Sequence, residues 1–371
     1  VAMLKTIQDM KFFLRTAYGD SENFATSSLE VKSQGLCQGN GAAPAGWTVI
    51  SITLLNAHKE RGHSASFLCP ISRRDGKIAA IIYVDDTDLL HINLETLECM
   101  EDAHDALQSA ISSWGNLLLA SGGSLKPAKC FAYLIDFEWL PDGTWKYADH
   151  TQSPEYEVRI PLANGRSAPI DRLGVNDAKK TLGYMTCPTG SASASLVRMQ
   201  EQAQAWVDQA KSGGLHRRYV WFMMDKQFWP RVSYGICNNM ATVAELESCL
   251  RKQYYELLPI GGVVRSAPAG LRQLAPGFYG IGCPHPTIEC FIAQLNKLLM
   301  HLGCSSILGL QLQSSLEYLI IELGLSNQPF EVDFEKFGVL VTHCWLKTLW
   351  EKCQRYGVVV KMRKGDICPP R

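Results

Sequence analysis

Three carboxylates lie close together in one apolar stretch of the sequence. Asp85, Asp86 and Asp88 separate the apolar run 78–83 from the apolar run 89–92. Ionised carboxylates side by side repel each other, and burying them without partners is costly. A hard cation removes that repulsion, and carboxylate oxygens are the ligands that Mg²⁺ prefers. Phosphoryl transfer on a pair of such ions is the chemistry that this cluster could support, and a plain surface turn, where Asp is common, is the alternative.

Two strands would hold these carboxylates in place. The runs 78–83 and 89–92 are short and apolar, and Gly76 and Asn93 bound them. The pattern predicts two buried antiparallel strands joined through the pair Asp85-Asp86. We therefore expect the carboxylates to lie at the turn.

Helices are predicted on both sides of this hairpin. Apolar residues at helical spacing predict helices over 4–17, from Pro44 to Gly62, and over 98–120. A glycine-rich loop, 35–44, leads into the second of them, and Pro44 suits its first turn. The loop should therefore place backbone amides at a helix N-terminus.

The pattern changes twice further along the chain. A strand is predicted over 131–137, and turn pairs such as Asp142-Gly143 and Asn164-Gly165 predict hairpins within 138–175. Beyond Thr189 the apolar spacing is helical to about Trp350. The sequence thus predicts an α+β first part and an α-helical second part.

The carboxylate stretch also belongs to an ordered set of motifs. Tyr83-Val84-Asp85-Asp86 resembles the Y-x-D-D signature of reverse transcriptases. Gln38-Gly39 with Pro44 resembles the Q-G-x-x-x-S-P element that precedes it in that family, with Ala43 where Ser is usual. Downstream, 126–130 (Lys-Pro-Ala-Lys-Cys) resembles the next element, and 180–183 (Lys-Thr-Leu-Gly) resembles the primer grip. The resemblance covers about residues 1 to 190.

The fold implied by this resemblance is an α+β polymerase palm, an antiparallel sheet with helices on one face. Residues 1–190 would be partial fingers and palm with a β-hairpin insertion at about 138–175, and residues 191–371 an α-helical thumb and post-polymerase region. The stretches 229–235 and 274–282 are similar to the region after the polymerase in non-LTR retroelement proteins.

The resemblance also implies roles for single residues. Asp85 and Asp86 would be catalytic and would bind Mg²⁺ or Mn²⁺. Lys129 would assist the departing pyrophosphate, a task that suits a mobile ammonium near phosphate charge. The remaining implied residues contact substrates: Gln38 and Gly39 the template and incoming nucleotide, Tyr83 and Val84 the primer terminus and nucleotide, and Lys180, Leu182 and Gly183 the primer strand.

One element of the family is missing from the sequence. Its polymerases need a third carboxylate on a strand well before the Q-G element, and only 37 residues precede Gln38. Asp9 and Asp20 are the acidic candidates of that type, and neither fits a strand followed by an aromatic residue. We therefore expect a sequence truncated at its N-terminus, with little or no polymerase activity of its own.

Four functions remain open from the sequence. The first is an RNA-directed DNA polymerase of a retrotransposon, acting on an RNA or DNA template with primer and on deoxynucleoside triphosphates. The second is a catalytically inactive remnant that binds nucleic acid. The third is a nuclease using Asp85, Asp86 and Asp88. The fourth is a zinc protein, whose ligands would come from Cys283, His285, Cys290, His301 and Cys304, although their spacing does not match common zinc motifs.

The composition indicates the size of the core and the cellular compartment, but it does not decide among these functions. The 371 residues are 46% hydrophobic, enough for a sizeable core, and Lys+Arg and Asp+Glu balance at 36 each, so any polyanion site must be local. No apolar run is long enough to span a membrane. Thirteen irregularly spaced Cys fit reduced thiols, so we expect an intracellular protein of the nucleus or cytoplasm.

Overall fold

A computed structural model describes residues 11–26, 43–92, 100–148, 153–325 and 328–361. These residues form both helices and strands, which confirms a mixed α and β chain. They divide into two compact units. The first consists of residues 1–66 and 77–174, and the second of residues 67–76 and 175–371.

The first described segment is a β-hairpin, although the sequence predicted a helix there. β1 (Lys11–Thr16) pairs antiparallel with β2 (Gly19–Thr26), and the rings of Phe13 and Phe24 lie 5.6 Å apart across the pair. Cross-strand aromatic pairs stabilise a sheet by roughly 0.2–1 kcal/mol each. The predicted helix over 4–17 is therefore wrong for residues 11–17, and its first part lies outside the described residues.

Two long helices of the first unit agree with the sequence. α1 (Ala43–Glu60) and α2 (Met100–Ala120) lie where the apolar periodicity placed them. Gly115 on α2 permits close packing, because a Cβ there would lie 2.5 Å from the ring of Pro161. The buried side of α2 thus packs directly on the strands that come after it.

The strands of the described residues form two-stranded sheets, seven in all. Such pairs do not by themselves establish a broad palm sheet. The pairs near the carboxylate cluster are consecutive along the chain. They are β3 (Ala65–Leu68) with β4 (Asp75–Ile78) and β5 (Ala80–Tyr83) with β6 (Asp86–Leu89).

The predicted β insertion contains the expected hairpins and one unexpected pairing. The Asp142-Gly143 turn joins one antiparallel pair and the Asn164-Gly165 turn joins the other, as the turn residues indicated. The predicted strand 131–137 is interrupted, and its first half pairs parallel with a later strand. These elements are β7 (Phe131–Tyr133), β8 (Asp136–Trp139), β9 (Trp145–Ala148), β10 (Arg159–Pro161), β11 (Ser167–Pro169) and β12 (Asp171–Leu173).

From residue 175 onward, the second unit has one more hairpin, followed by helices. Its hairpin contains Lys180, so the primer-grip segment belongs with the helices after it. The elements are β13 (Lys179–Thr181), β14 (Tyr184–Thr186), α3 (Ser193–Ser212), α4 (Arg217–Met223), α5 (Trp229–Val232), α6 (Val243–Cys249), α7 (Arg251–Ile260), α8 (Ala269–Gln273), α9 (Pro286–His301), α10 (Ile307–Leu323), α11 (Phe334–Phe337) and α12 (Trp345–Arg355).

Local sequence explains where several of these helices begin. Thr242 and Glu245 form a capping box at the start of α6, each side chain accepting the backbone N–H of the other residue. The Ser306 hydroxyl accepts the N–H of Gly309 at 3.2 Å and caps α10. These bonds satisfy amides that have no partner within the helix.

Apolar side chains of the second unit form two cores. The first lies among α3, α4, α6 and α7, where the rings of Trp206 and Phe228 lie 5.2 Å apart. The second lies among α9, α10 and α12 and includes the fully buried Trp350. Lys352 is also buried and donates to the carbonyls of Ala241 and Thr348, at 3.0 and 3.1 Å. Those two carbonyls offset the cost of burying an ammonium group.

Candidate functional site

The carboxylate hairpin is formed by β5 and β6, with Tyr83 paired to Asp86 and Ile81 paired to Asp88. The sequence placed the turn at Asp85-Asp86, whereas the structure places it at Val84-Asp85. The second strand begins at Asp86, which corrects the predicted strand 89–92. The correction changes the geometry, because residues two apart on a strand face the same side. Asp86 and Asp88 therefore share one face.

The two faces of this hairpin differ in burial. Tyr83, Ile81, Asp86 and Asp88 are exposed on one face, and Tyr83 is 62% exposed. The opposite face packs inward, with Leu89 against a small core around Ile111, Ala132, Val158 and Ile160. The hairpin therefore presents its carboxylates to solvent from a strand pair that is held on its other side.

The turn itself is strained. Val84 has φ +55°, a left-handed conformation that a β-branched residue adopts only at a cost. It stands at the first central position of the turn, and Asp85, the second, is not among the described residues with positive φ. This pattern of φ signs is that of a type II′ hairpin turn, which favours Gly at the first position. The surrounding strand pair must hold the turn in this form.

The carboxylates of Asp86 and Asp88 repel each other within the hairpin. Desolvation of the Asp88 carboxyl, and after it the charge of Asp86, raise the pKa of Asp88. Although Asp88 lies on the exposed face, neighbouring atoms shield its carboxyl enough for desolvation to be the larger cause. A cation beside Asp86 would relieve the repulsion. Carboxylate pairs of this kind fit Mg²⁺, which is usually held by one or two carboxylates together with substrate phosphates.

Lys129 lies in the same unit as the hairpin, and the residue after it packs on the same core. It ends a short 3₁₀ turn, Pro127–Lys129, in which its N–H donates to the carbonyl of Lys126 at 2.9 Å. Cys130, the next residue, packs against the cluster that also holds Leu89. The same small core therefore holds Leu89, which follows the carboxylates, and Cys130, which follows Lys129, while the carboxylates and Lys129 themselves are exposed. Gln38 and Gly39 lie outside the described residues.

The primer-grip segment forms its own tight hairpin in the second unit. Leu182 and Gly183 both have positive φ, 49° and 88°, as a type I′ turn requires. The Tyr234 hydroxyl donates to the Leu182 carbonyl at 2.7 Å. A Cβ at Gly183 would lie 3.0 Å from the Tyr234 ring, so the turn and the ring are in close contact. Lys180 lies on the preceding strand β13 and is exposed.

Tyr234 is a contact residue that the sequence did not assign to this segment. The sequence did point to the region of Tyr234, because the stretch 229–235 resembles a family element. No role was assigned to any residue of that stretch. Together with Gly183, Tyr184, Arg198 and Arg231 it lines a cavity of about 290 Å³. The turn therefore borders a small cleft with two arginines.

The upstream acidic candidates do not complete the site. Asp9 lies outside the described residues. Asp20 lies on β2, and its carboxylate accepts hydrogen bonds from the Arg15 guanidinium at 2.6 and 2.9 Å. That ion pair lowers the pKa of Asp20 and gives it a local partner.

The zinc hypothesis is not supported by the described residues. Among them, no group of three or more His, Cys, Asp or Glu side chains is arranged to hold a metal ion. Cys283 and Cys290 are buried instead, and burial raises the pKa of each thiol to about 11. Cys290 donates to the carbonyl of Ile236, at 3.3 Å, and Cys304 is exposed. Neutral, buried thiols serve as core side chains and not as zinc ligands.

Sequence analysis missed one histidine cluster in the first unit. The rings of His58 and His63 lie 4.9 Å apart, and those of His63 and His91 lie 5.6 Å apart. His58 is fully buried, and neither of its ring nitrogens has a hydrogen-bond partner in the described structure. Desolvation, with smaller contributions from His63, His91 and Arg61, lowers the pKa of His58 to about 4. A buried, neutral imidazole results.

Comparison with known proteins gives no relative from which a function could be transferred. No protein-family model matches the sequence, and no curated protein matches it. Within the described ranges, no helix is both long and apolar enough to cross a membrane. Any functional assignment therefore depends on the residues themselves.

Proposed function

We propose that this chain carries the nucleotidyl-transfer hairpin of an RNA-directed DNA polymerase, a reverse transcriptase of the retrotransposon kind. One observation carries the proposal: the stretch Tyr83-Val84-Asp85-Asp86 lies at the tip of an antiparallel hairpin. Its two carboxylates are exposed, and the opposite face of the hairpin is packed. A sequence signature and a suitable local geometry therefore coincide at one place.

Asp85 and Asp86 would hold the divalent cation, Mg²⁺ or Mn²⁺. When bound, the ion would neutralise phosphate charge and orient the reacting oxygens. The hairpin contributes rigidity, because both strands and the packed face limit where the carboxylates can move. Tyr83, which is exposed and paired across the turn with Asp86, would contact a primer terminus.

The substrates under this proposal are a primed RNA or DNA template and deoxynucleoside triphosphates. Lys129 would contribute a mobile ammonium group near the leaving phosphate. The hairpin with Lys180, Leu182 and Gly183 would contact the primer strand. An α+β palm containing β5 and β6, with a helical thumb beginning at α3, is the architecture that this function would need.

A second function has its own supporting observation. In the part of the chain that the structure describes, no three ligating side chains converge on one point. A cation would then be held by two carboxylates at most, which is weak without substrate. A protein that binds primed template without chemistry is the candidate that this observation favours.

Primer extension on an RNA template, with Mg²⁺ or Mn²⁺, tests the first proposal. Extension by the wild-type chain, or by a version with an added upstream segment that supplies a third carboxylate, would support it if Asp85→Asn abolishes extension while primer–template binding is retained. Asp105→Asn is the matched control, because Asp105 is an exposed residue of α2, outside the hairpin, whose carboxylate lies 3.3 Å from the ring of His104. Unchanged extension in Asp85→Asn would refute the role of the hairpin.

Paramagnetic broadening by Mn²⁺ separates the two candidates without relying on turnover. If Asp85 and Asp86 hold the ion, Mn²⁺ broadens the amide signals of Tyr83 and Asp86 at lower concentrations than signals on α3. Primer–template binding without extension and without this broadening would favour the second candidate. Absence of binding would contradict both.

A further inference from the structure

A cavity rich in arginine lies in the second unit, and none of the residues that the proposed function uses lines it. We name it the arginine cleft. It has a volume of about 410 Å³, within the range of small-molecule sites. Its walls come from α6, α7, α8, the segment 283–288 and the end of α12. The lining includes Glu247, Arg251, Tyr255, Arg272, His285 and Arg355.

The cationic side chains of the cleft exceed its carboxylates. Arg355 lies 3.4 Å from the Glu247 carboxylate. In the described part of the chain, neither Arg251 nor Arg272 forms an ion pair with a carboxylate. The cleft therefore retains positive charge, in a chain whose net charge is zero.

Two polar atoms in the cleft are buried and lack partners within the described protein. They are Nε of Arg272, which is a donor, and Nδ1 of His285, which donates or accepts according to the tautomer. A buried donor without an acceptor costs about 1–3 kcal/mol. The Arg272 guanidinium also lies over the Tyr255 ring, 5.5 Å from its centroid, and this contact holds its plane. Arg272 is thus positioned while its hydrogen-bonding capacity remains available.

The wall that carries Arg272 is built by a closed loop. The carbonyl of Arg272 accepts the N–H of Cys283 at 2.7 Å, and the carbonyl of Leu274 accepts the N–H of Gly282 at 2.9 Å. These bonds close the segment 274–282, one of the stretches that resembled a family element but had no role. On the facing wall, the Tyr254 hydroxyl donates to the Pro284 carbonyl at 2.6 Å. Both walls are therefore fixed by hydrogen bonds.

The arginine cleft continues into a shallower, open cleft. Arg251 and Tyr255 line both cavities. The open cleft adds three further cations, and its carboxylate, Glu256, is already paired with one of them at 2.6 Å. The added cations are Lys211, Lys252 and Arg265. A row of cationic side chains therefore leads out of the arginine cleft.

We propose that the arginine cleft binds the phosphate of a nucleotide unit through Arg251, Arg272 and Arg355. Guanidinium groups bind phosphate oxygens in pairs of parallel hydrogen bonds, which explains the excess of arginine over lysine inside the cavity. The Tyr255 side chain, which Arg272 covers on one face, is still 41% exposed and so offers aromatic surface on which a base can stack. The phosphate comes from a free nucleotide or from the end of a single strand whose backbone runs along the open cleft.

Fluorescence anisotropy and calorimetry in EDTA test this site apart from the carboxylate hairpin. The probes are a 5′-phosphorylated oligo(dT) octamer, the same octamer without the phosphate, and deoxythymidine monophosphate. Arg272→Gln and Arg355→Gln are the variants. Arg218→Gln is the matched control, because Arg218 is an exposed arginine of the same unit that lines neither cleft. The unfolding midpoint of each variant shows whether it is folded.

We expect each cleft variant to weaken binding of the phosphorylated octamer at least tenfold, while Arg218→Gln leaves it unchanged. Each lost phosphate contact lowers the slope of log K against log salt by about 0.7 for a single strand. Binding of the monophosphate with the same sensitivity to Arg272→Gln identifies a free nucleotide as the ligand. Binding of the octamer alone identifies a strand end. Equal affinity with and without the 5′ phosphate, or affinity that is unchanged in folded Arg272→Gln, overturns the proposal.

Discussion

The carboxylate of Glu317 holds Ser72. Oε2 of Glu317 accepts the backbone N–H of Ser72 at 2.9 Å and that of Ile71 at 2.8 Å, and Oε1 accepts Nε2 of Gln313 at 2.9 Å. Glu317 lies on α10 and is fully buried. One buried side chain therefore fixes the turn of segment 67–76 within the second unit.

Glu317→Gln should lower the free energy of unfolding by about 1–3 kcal/mol. The new amide group has to face either the two backbone N–H groups or the Gln313 amide, so a donor meets a donor. Glu201→Gln is the control, because Glu201 is an exposed helical residue of the same unit, and we expect a change within about 0.5 kcal/mol. Urea unfolding of both variants measures the difference; equal midpoints would contradict the assigned role.

The carboxylate of Glu317 should also make the free energy of unfolding decrease as the pH falls. Burial raises the pKa of Glu317, but hydrogen bonds from Ser72, Gln313 and Ile71 outweigh burial and leave the pKa below its usual value. The stabilisation is therefore present above the unfolded pKa of about 4.3 and is lost as pH falls through the folded pKa. Unfolding of wild type and Glu317→Gln between pH 6 and pH 3 should converge towards low pH. Parallel curves would refute this.

His58 should make stability fall between pH 6.5 and pH 4. Its pKa is about 4 in the folded protein and 6.5 in the unfolded chain, so the unfolded chain binds one more proton in that window. Stability then falls by up to about 1.4 kcal/mol for each unit of pH decrease. Thermal or urea unfolding against pH should show a flatter profile for His58→Gln. Exposed His343→Gln, the control, should keep the wild-type slope.

Gly280→Ala should disrupt the wall of the arginine cleft. A Cβ at Gly280 would lie 1.9 Å from the carbonyl oxygen of Leu274, a backbone atom that cannot move without opening the loop. We expect a loss of about 2 kcal/mol or more in the free energy of unfolding. Gly277→Ala is the matched control, because nothing lies within 4 Å of a Cβ there. Equal stability of the two variants by urea unfolding would count against the loop geometry.

Local signals predicted the elements that local interactions determine. The hairpins at Asp142-Gly143 and Asn164-Gly165 result from turn residues that accept positive φ. Helices α1 and α2 result from apolar periodicity together with Pro44 at the start of one of them. In each case the residues that decide the structure are neighbours along the chain.

The carboxylate turn was misplaced by one residue because it contains no glycine or asparagine. The sequence offered an aspartate pair as the turn, while the structure places strained Val84 there. A shift of this size matters in a strand, because it moves side chains to the other face. The packing of Leu89 on the inner face favours the observed pairing register over one shifted by a residue, which would turn Leu89 outward.

Tertiary contacts decided the features that sequence reasoning missed. The segment 11–17 has helical spacing but forms a strand, because Phe13 finds Phe24 across the pair. The arginine cleft joins Arg251, Arg272 and Arg355, which are far apart in sequence. No periodicity or motif connects such residues before the chain is folded.

Val84→Asn should raise the stability of the first unit by about 1 kcal/mol. Asparagine tolerates positive φ far better than a β-branched residue, so the substitution relieves strain at the tip of the hairpin. Val264→Asn is the control, an exposed loop valine that is not among the described residues with positive φ. Hydrogen exchange of the Asp86 amide and urea unfolding measure the effect. Destabilisation by Val84→Asn would show that the valine side chain makes contacts that outweigh the strain.

Asp86→Asn should lower the pKa of Asp88. The charge of Asp86 is the second cause of the raised pKa, after desolvation, so its removal should shift the pKa back only part of the way. NMR titration of the Asp88 side-chain carboxyl measures this, and Asp105→Asn should leave it unchanged. Mg²⁺ adds a sharper test: an ion held by Asp85 and Asp86 would lower the pKa of Asp88 in wild type, because positive charge favours the ionised carboxylate. The same Mg²⁺ concentration should have a smaller effect in Asp86→Asn, and an equal effect in both proteins would place the ion elsewhere.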